Sequence, residues 1–330
     1  MDKIDKQGMY KIYDKWPQLA SDSYGKKHDQ IDYKNIDHIV FAGMGGSGAI
    51  GDLFSAILSK TNIHISLVKG YILPKTADSK TLVVTVSVSG NTVETLTVLN
   101  SARKLSCKLI AFSSGGKMEQ ICNKHNIDFQ NIEMVHSPRA SFITYVYSIL
   151  NTLNSIIPIK KQNIYESIKG LAKISKQITS SNLTTSNSSL NFAKWITGIP
   201  LMYYPWGLQA AAVRFKSSLQ ENAKSHALIE DVIEASHNGV VSWEKPSNVQ
   251  PILLQGCDDY AKTKERWKIV KEYFDKNMID YKEIKSTNGN ILTKLVCLIY
   301  VLDYASIYNA VLNKTNPTPV RSIDFIKKRL

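Results

Sequence analysis

Short apolar segments alternate with helical segments along the first half of the chain. Four segments are predicted to be strands, at 37–42, 63–68, 81–86 and 108–112, and the first and third of them are apolar and β-branched, as is typical of buried parallel strands. Three segments with helical periodicity follow the first, third and fourth of these strands, at 47–59, 91–104 and 117–125. The alternation predicts an α/β domain with a doubly wound parallel sheet flanked by helices.

The same pattern restarts after a polar interruption. Residues 177–191 are rich in Ser, Thr and Asn and predict a solvent-exposed loop or linker. Beyond them, strands are predicted at 199–204, 251–255 and 281–285, and helices at 206–223, 259–277, 291–312 and from about 321 to the end. We therefore expect two α/β domains, at 1–155 and 192–330, with a helix and the polar linker between them at 156–191.

Two further helices are predicted around the first sheet. Residues 9–20 have the apolar spacing of a short amphipathic helix that precedes the first strand. Pro138 is expected to open a long helix that runs to about Asn154, because proline is favoured in the first turn of a helix.

The composition is that of an ordinary globular protein, with 43% hydrophobic and 21% charged residues. No apolar run is expected to reach the roughly 18–20 residues that a membrane span needs, and the N-terminus lacks the apolar stretch of a signal peptide. The four cysteines are far apart and form no CxxC pair, which indicates reduced thiols and no metal site. We expect a cytoplasmic protein with no membrane partner.

The net charge of +13 fits either nucleic-acid binding or attraction of anionic metabolites. The lysines are spread along the chain, and the densest basic cluster is the short run 327–329. No helix-turn-helix pattern, RNA-binding signature or zinc-finger spacing accompanies the charge. The sequence thus favours an anionic small molecule and no nucleic-acid partner.

Two turns contain residue types that bind anions. Each follows a predicted strand and precedes a predicted helix, where free backbone N–H groups and the helix dipole favour a negative charge. The first turn reads Gly-Met-Gly-Gly-Ser-Gly at 43–48, and the second reads Ser-Val-Ser-Gly-Asn-Thr at 87–92. Together they predict a phosphate site formed by Gly45, Gly46, Ser47, Ser87, Ser89 and Thr92.

The first turn also matches the G-x-G-x-x-G fingerprint of dinucleotide-binding enzymes. That fingerprint expects an acidic residue at the end of the second strand, where this chain has Lys69 and Gly70. Only an NADP 2′-phosphate would favour Lys69, so an NADP-dependent oxidoreductase is one alternative. Helix capping explains one hydroxyl of the second turn but not three, and phosphate oxygens accept several such bonds.

The second turn and its continuation, Ser-Val-Ser-Gly-Asn-Thr-Val-Glu-Thr at 87–95, resemble the signature of the sugar isomerase (SIS) domain. The chain as a whole is similar to the bifunctional phosphoglucose/phosphomannose isomerase family of archaea and some bacteria. The similarity includes the turn at 43–48, Ser-Pro-Arg at 137–139, Arg214 with Gln-Glu-Asn-Ala-Lys at 220–224, Ser-His-Asn at 236–238, and the tail from Pro317 to Lys327.

The resemblance implies interconversion of glucose 6-phosphate, and of mannose 6-phosphate, with fructose 6-phosphate. The proton moves between C1 and C2 through a cis-enediol(ate) after the ring has opened, and no cofactor is needed. Glu221 corresponds to the family's base; from the sequence alone it could equally be a solvated charge at a helix end. His237 corresponds to the ring-opening histidine, which the family donates across a homodimer interface.

Two cations complete the implied site. Lys327 resembles the C-terminal lysine that assists ring opening, although Lys328 is an adjacent alternative. Arg139 at a helix start would stabilise the negative charge of the enediolate. One departure is the turn Tyr-Tyr-Pro-Trp-Gly at 203–207, where a glycine- and serine-rich turn would suit a second ligand site. A non-catalytic SIS regulator that binds a sugar phosphate is the other alternative.

Overall fold

The computed structural model describes residues 1–28 and 31–329, and within them nine strands form two sheets. The strands are β1 (His38–Ala42), β2 (His64–Val68), β3 (Thr81–Ser87), β4 (Lys108–Ser113), β5 (Asp128–Asn131), β6 (Ile199–Tyr204), β7 (Leu228–Asp231), β8 (Val249–Gln255) and β9 (Lys282–Lys285). The helices are α1 (Met9–Asp14), α2 (Trp16–Gly25), α3 (Gly45–Leu58), α4 (Val93–Ala102), α5 (Gly116–His125), α6 (Phe142–Thr152), α7 (Lys161–Ile178), α8 (Ser188–Trp195), α9 (Gln209–Ser218), α10 (Val232–Ala235), α11 (Ala261–Lys276), α12 (Ile291–Leu312) and α13 (Arg321–Lys327). A π-helical turn at Leu219–Ala223 continues α9, and a 3-10 helix lies at Gly239–Glu244.

The first sheet has the strand order β2-β1-β3-β4-β5, and all of its pairings are parallel. Every residue of β1 and β3 is buried, because helices cover both faces of a parallel sheet. On one face, Val40, Val83 and Ala111 pack with Leu99 of α4 and Met118 of α5. The predicted doubly wound sheet is thereby confirmed.

The second sheet has the parallel order β7-β6-β8-β9, which repeats the order of the first sheet without its last strand. Its core on one face joins Leu201 and Leu253 to Trp267 and Phe274 of α11. The prediction of two related α/β folds is confirmed by this repetition.

Helix α12 is the central helix of the second fold. It is 22 residues long and apolar enough to cross a membrane, but 83% of its most apolar window is buried inside the protein. The expectation that no apolar run reaches this length was wrong. Lys294 and Asp303 lie within the run, but the mean hydropathy of the segment remains high despite these two charges. Helix α12 packs with α8, α9, the π-helical turn and α1, as the core helix of a globular fold does.

The chain forms two compact units, each built from two stretches of sequence. The first-sheet unit comprises Lys15–Gln162 and Val320–Leu330, and the second-sheet unit comprises Met1–Asp14 and Asn163–Pro319. The units therefore differ from the boundaries expected from the sequence at both chain ends: α1 groups with the second sheet, and α13 groups with the first.

Several element predictions were wrong in detail. The helix expected at 9–20 is two helices, which separate at Lys15 because Pro17 starts a new helix instead of continuing the old one. The helix expected at 206–223 begins at Gln209 and ends in the π-helical turn.

The polar segment at 177–191 is only partly a solvent-exposed loop. Asn187 is fully buried: its side chain caps α8 by accepting a hydrogen bond from the Leu190 N–H (2.9 Å) and donates to the Tyr308 hydroxyl (3.0 Å). Ser189 is also fully buried, and its Oγ donates to the Val301 carbonyl of α12. A polar composition therefore conceals a helix start that is anchored in the core.

Candidate active site

The two predicted turns lie side by side at the carboxyl edge of the first sheet. β1 has β2 on one side and β3 on the other, so the chain leaves these strands in opposite directions and a crevice opens between them. Gly43 follows β1 directly, and a Cβ added to it would lie 3.0 Å from the Val86 carbonyl of β3. The sheet thus brings together the two segments that the sequence analysis assigned to one phosphate site.

The turn after β3, which we call the serine turn (residues 87–92), has its hydroxyls oriented by each other. Ser87 is buried at the end of the strand, and its Oγ donates to Thr92 Oγ1 at 2.9 Å. Thr92 is the N-cap residue of α4, but its side chain caps no N–H of the helix. The Thr92 side chain therefore leaves the first-turn N–H groups of α4 uncapped, and such a helix start can donate hydrogen bonds to an anion.

Gly90 fixes the shape of the serine turn. Its φ is +68°, and an added Cβ would lie 1.8 Å from the Gly115 carbonyl oxygen and 2.7 Å from Ser113 Oγ. Its own carbonyl accepts a hydrogen bond from the Met118 N–H (2.9 Å). The turn after β4 thus holds the serine turn in place, and only glycine fits at the contact.

The glycines of the first turn have two different tasks. Gly48 and Gly51 bring α3 against β1, since an added Cβ would lie 2.8 Å from the Gly43 carbonyl at the first and 3.0 Å from Phe41 Cβ at the second. Gly45, with φ of +53°, lies exposed at the crevice edge, and Ser47 is buried in the first turn of α3. Helix packing thus explains much of the G-x-G-x-x-G spacing without a dinucleotide.

The end of β2 lacks the acidic residue that would bind the ribose of a dinucleotide. Lys69, the one residue there that suits an NADP 2′-phosphate, forms an ion pair with Asp52 of α3 (Nζ to Oδ2, 2.6 Å). Burial raises the pKa of the Asp52 carboxyl, and Lys69 opposes that shift. The cation is therefore already engaged by a carboxylate of its own unit.

Arg139 lies in a turn, not at a helix start. Pro138 was expected to open the helix, but residues 138–141 form a turn and α6 begins at Phe142. Ser141 holds this turn: its Oγ accepts from the Val135 N–H (2.8 Å) and donates to the Ser137 carbonyl (2.9 Å). Arg139 is buried and belongs to the same unit as the serine turn.

Glu221 lies in the π-helical turn at the end of α9 and is partly buried. π-helical turns are rare and occur frequently at functional sites. The turn ends at Lys224, whose φ is +57° and whose Nζ donates to the Glu221 carbonyl (2.5 Å) and to the Pro317 carbonyl (3.2 Å). Lys224 therefore ties the Glu221 segment to the stretch that precedes α13.

A buried ion pair lies two helical turns before Glu221. Arg214 of α9 pairs with Asp303 of α12 (Nη2 to Oδ2, 2.7 Å), and both side chains are almost fully buried. Burial works to lower the pKa of Arg214, but the Asp303 carboxylate outweighs it, so the pKa is raised and the guanidinium stays charged. Sequence reasoning noted Arg214 only within a motif and missed Asp303, whose signal was a lone acid in an otherwise apolar helix.

His237 lies in the turn between α10 and the 3-10 helix and is exposed. Its N–H donates to the Glu234 carbonyl (2.9 Å). The neighbouring Asn238 donates from Nδ2 to Glu234 Oε1 (2.9 Å), so it stabilises the turn that presents the imidazole.

Lys327 is the last residue of α13 and is exposed, as is the adjacent Lys328. Helix α13 belongs to the first-sheet unit together with Arg139 and both turns, whereas Glu221 and His237 belong to the second-sheet unit. Each unit thus contains part of the predicted residue set.

Family models match both halves of the chain. The SIS domain matches residues 32–155, and the domain described as bacterial phospho-glucose isomerase C-terminal SIS domain matches residues 185–330. Among solved structures, a hypothetical protein from Thermus thermophilus has a TM-score of 0.75 at 14% identity and covers 97% of this chain and 89% of its own. Identity that low supports the fold alone.

Curated relatives are closer in sequence. A D-glucosamine-6-phosphate 4-epimerase from Sulfolobus acidocaldarius is 30% identical over 74% of this chain and 77% of its own. A bifunctional phosphoglucose/phosphomannose isomerase from Caldicellulosiruptor bescii is 32% identical over 309 residues, which is 90% of each chain. With two SIS folds, two matching domain models and this identity over nine-tenths of both chains, the protein belongs to the bifunctional phosphoglucose/phosphomannose isomerase family of phosphosugar isomerases.

Proposed function

We propose that the protein interconverts glucose 6-phosphate and mannose 6-phosphate with fructose 6-phosphate. The observation that carries the proposal is the serine turn, whose hydroxyls and uncapped helix start lie at the carboxyl edge of the first sheet in a chain of this family. The reaction moves hydrogen within one molecule, from C2 of the aldose to C1 of the ketose, so oxidation at one carbon balances reduction at the other. No external oxidant or reductant takes part.

In this proposal the 6-phosphate binds at the carboxyl edge of the first sheet. Ser87, Ser89 and Thr92 supply hydroxyl donors, and the segment Gly45–Ser47 supplies the second wall. A dianionic phosphate is stabilised there by the N-terminal dipole of α4 and by charge-assisted hydrogen bonds.

Glu221 is the proposed base. Its carboxylate takes the C2 proton of the open-chain aldose and returns it to C1 of the enediolate. Arg139 stabilises the negative charge that develops on the C1 and C2 oxygens. A base placed in this way contributes about 10²- to 10⁴-fold to the rate.

His237 and Lys327 act in ring opening, in which the ring oxygen is protonated as the C1–O bond breaks. A histidine suits this step near neutral pH. We propose that His237 is donated by the second copy in a homodimer, and its exposed position in the turn after α10 supports this assignment.

A 4-epimerase is the second candidate, because one relative at 30% identity has the name D-glucosamine-6-phosphate 4-epimerase. The two reactions are distinguished by their substrates and by the carbon that changes. Isomerisation alters C1 and C2 of a hexose 6-phosphate, whereas 4-epimerisation inverts C4 of an amino sugar.

The test incubates the purified protein separately with fructose 6-phosphate and with glucosamine 6-phosphate, with the products followed by NMR. We expect glucose 6-phosphate and mannose 6-phosphate from the first substrate and no C4 epimer from the second. A C4 epimer without aldose formation would establish the alternative, and no turnover of either substrate would contradict both.

Glu221→Gln tests the assignment of the base. The amide keeps the shape of the side chain and loses its basicity, so kcat should fall by at least roughly 10²-fold while KM changes little. Glu244→Gln, which changes an exposed carboxylate in the 3-10 helix, is the control and should retain full activity.

Mixing inactive Glu221→Gln with inactive His237→Ala protein should restore part of the activity if subunits share sites, and a fully active monomer would contradict the shared site.

A further inference from the structure

Glu221 lies between two side chains that are anchored on α12. Three residues before it, Ser218 Oγ donates to Asp303 Oδ1 (2.6 Å). Directly after it, Asn222 Nδ2 donates to Ser306 Oγ (2.9 Å). Asp303 and Ser306 are three residues apart on α12 and so lie on one face of that helix. The segment that contains Glu221 is thereby fixed at both ends to a single helix.

These anchors are unusually well protected from water. Asn222, Asp303 and Ser306 are all fully buried. Ser306 Oγ also donates to the Asp303 carbonyl (2.6 Å), so one hydroxyl both accepts from Asn222 and donates to α12. Breaking a hydrogen bond at a buried amide costs the desolvation free energy of that amide. The Asn222–Ser306 hydrogen bond therefore has little freedom to shift.

The backbone around Glu221 needs such an anchor. Leu219–Ala223 is a π-helical turn, which is wider than an α-helical turn and less common because its packing is poorer. A return to α-helical winding would rotate Glu221 about the helix axis and move its carboxylate. The Asn222–Ser306 hydrogen bond opposes that return, because Asn222 would rotate with it.

We propose that Ser306, acting through Asn222, is a positioning residue that holds the Glu221 carboxylate in its catalytic orientation. The inference rests on the proposed role of Glu221 as the base. Arg214 and Asp303 fix the helix that precedes Glu221, and Ser306 fixes the turn that contains it.

The test compares Ser306→Ala with Ser189→Ala. Ser189 is a matched control, because it is equally buried and its Oγ also donates to α12, at the Val301 carbonyl (2.8 Å), but within the described residues it forms no hydrogen bond with the π-helical turn. Both variants should unfold at similarly lowered temperatures. Only Ser306→Ala should lose kcat, by roughly 10- to 100-fold with KM within about twofold, since small displacements of a reacting group cost this much.

The primary isotope effect separates a displaced base from a smaller folded fraction. With glucose 6-phosphate deuterated at C2, Ser306→Ala should show a larger isotope effect on kcat than the wild type, because proton transfer alone has slowed. Partial unfolding scales kcat and leaves the isotope effect unchanged. An unchanged isotope effect, or equal loss of kcat in both variants, would overturn the proposal.

Two further variants keep the test decisive. Ser306→Thr retains the hydroxyl and should have the kcat and the isotope effect of the wild type. If Ser306→Ala does not fold, Ser306→Cys keeps the side-chain size with a weaker acceptor and should also lower kcat and raise the isotope effect. Absence of turnover in the wild type would contradict the proposed function itself. An active wild type, together with Ser306 variants whose kcat and isotope effect are unchanged, would contradict only the positioning role.

Discussion

The carboxyl edges of the two sheets have the same strand order and opposite chemistry. In the first sheet, the turns after β1 and β3 present glycines and hydroxyls. In the second sheet, the turn after β6 presents Trp206, which is 78% exposed, and the turn after β8 has the carboxylates of Asp258 and Asp259.

Two backbone donors in the turn after β8 already have side-chain acceptors. The Gly256 N–H donates to Asp259 Oδ2 (3.0 Å), and the Cys257 N–H donates to Ser286 Oγ (3.2 Å). Asp258 forms an ion pair with Lys294 of α12 (2.5 Å). The two carboxylates make this turn unfavourable for an anion. Topology creates a crevice at each switch point, and the turn residues decide whether the crevice can bind a phosphate.

The largest effect that distinguishes the two edges should come from their glycines. Gly90→Ala adds a methyl that would overlap the Gly115 carbonyl and forces alanine to a positive φ, so it should destabilise the protein by about 3 kcal/mol or more. Gly207→Ala in the second turn meets no atom within 4 Å and has only the cost of its φ of +92°, about 1–2 kcal/mol. Urea denaturation measures both, and equal losses would show that the serine turn is not confined by its neighbour.

The second comparison concerns ligand affinity. Replacing Ser89 and Thr92 together by alanine should raise KM for hexose 6-phosphates by about tenfold or more, because hydrogen bonds to a charged group contribute roughly 1.5–3 kcal/mol each. Trp206→Ala at the second edge should leave KM unchanged. Steady-state kinetics on folded variants checks both. An unchanged KM in the double variant would contradict the assignment of the phosphate site to the serine turn.

The smallest effect concerns the opposite edge of the first sheet, where His38 bridges three strands. Its Nε2 lies 2.9 Å from Ser66 Oγ and its Nδ1 lies 3.2 Å from Thr81 Oγ1, while its ring is 4.9 Å from that of His64. Burial, and then the charge of His64, lower the pKa of His38 below 6.5, against the opposing influence of Asp37 and Asp78.

A lowered histidine pKa means that the folded state binds fewer protons than the unfolded state as the pH falls through 6.5. Stability should therefore decrease on acidification from pH 7.5 to 5.5, by less than about 1 kcal/mol from this group. His38→Asn should flatten that dependence, as seen in melting temperatures at the two pH values. At the corresponding place in the second sheet, Ile199 of β6 pairs with Val249 of β8, and neither side chain is titratable. Parallel pH profiles for wild type and variant would contradict this assignment.

The sequence predicted the central strands and the edge strands β2 and β9 well, and it missed the other two edge strands. β1 and β3 are unbroken apolar runs because both of their faces are buried, and their positions were predicted within one residue. β5 and β7 have only four residues each and were missed, and β5 in particular is largely polar. Periodicity cannot identify such strands, since their pairing depends on a neighbour formed elsewhere in the chain.

The candidate site shows the same division. The serine turn could be recognised from local composition, because its task depends on six consecutive residues. The environment of Glu221 could not, because the Asn222–Ser306 contact joins residues 84 positions apart and the π-helical turn has no sequence signature. Arg139 was expected at a helix start because proline favours that position, yet here Pro138 opens a turn instead.

Helix α12 has a consequence for the order in which the protein is made. Its partner α1 lies at the very start of the chain, and the Tyr13 hydroxyl that contacts Asp303 is separated from it by 290 residues. At a translation rate of about 5–20 residues per second, α1 waits roughly 15–60 s for the helix it covers. Before α12 is synthesised, all strands of the first sheet have already been made, but the core of the second-sheet unit still lacks its central helix. The emerging apolar helix therefore depends on a segment synthesised about 290 residues earlier, and the second-sheet unit cannot complete its core before α12 has emerged.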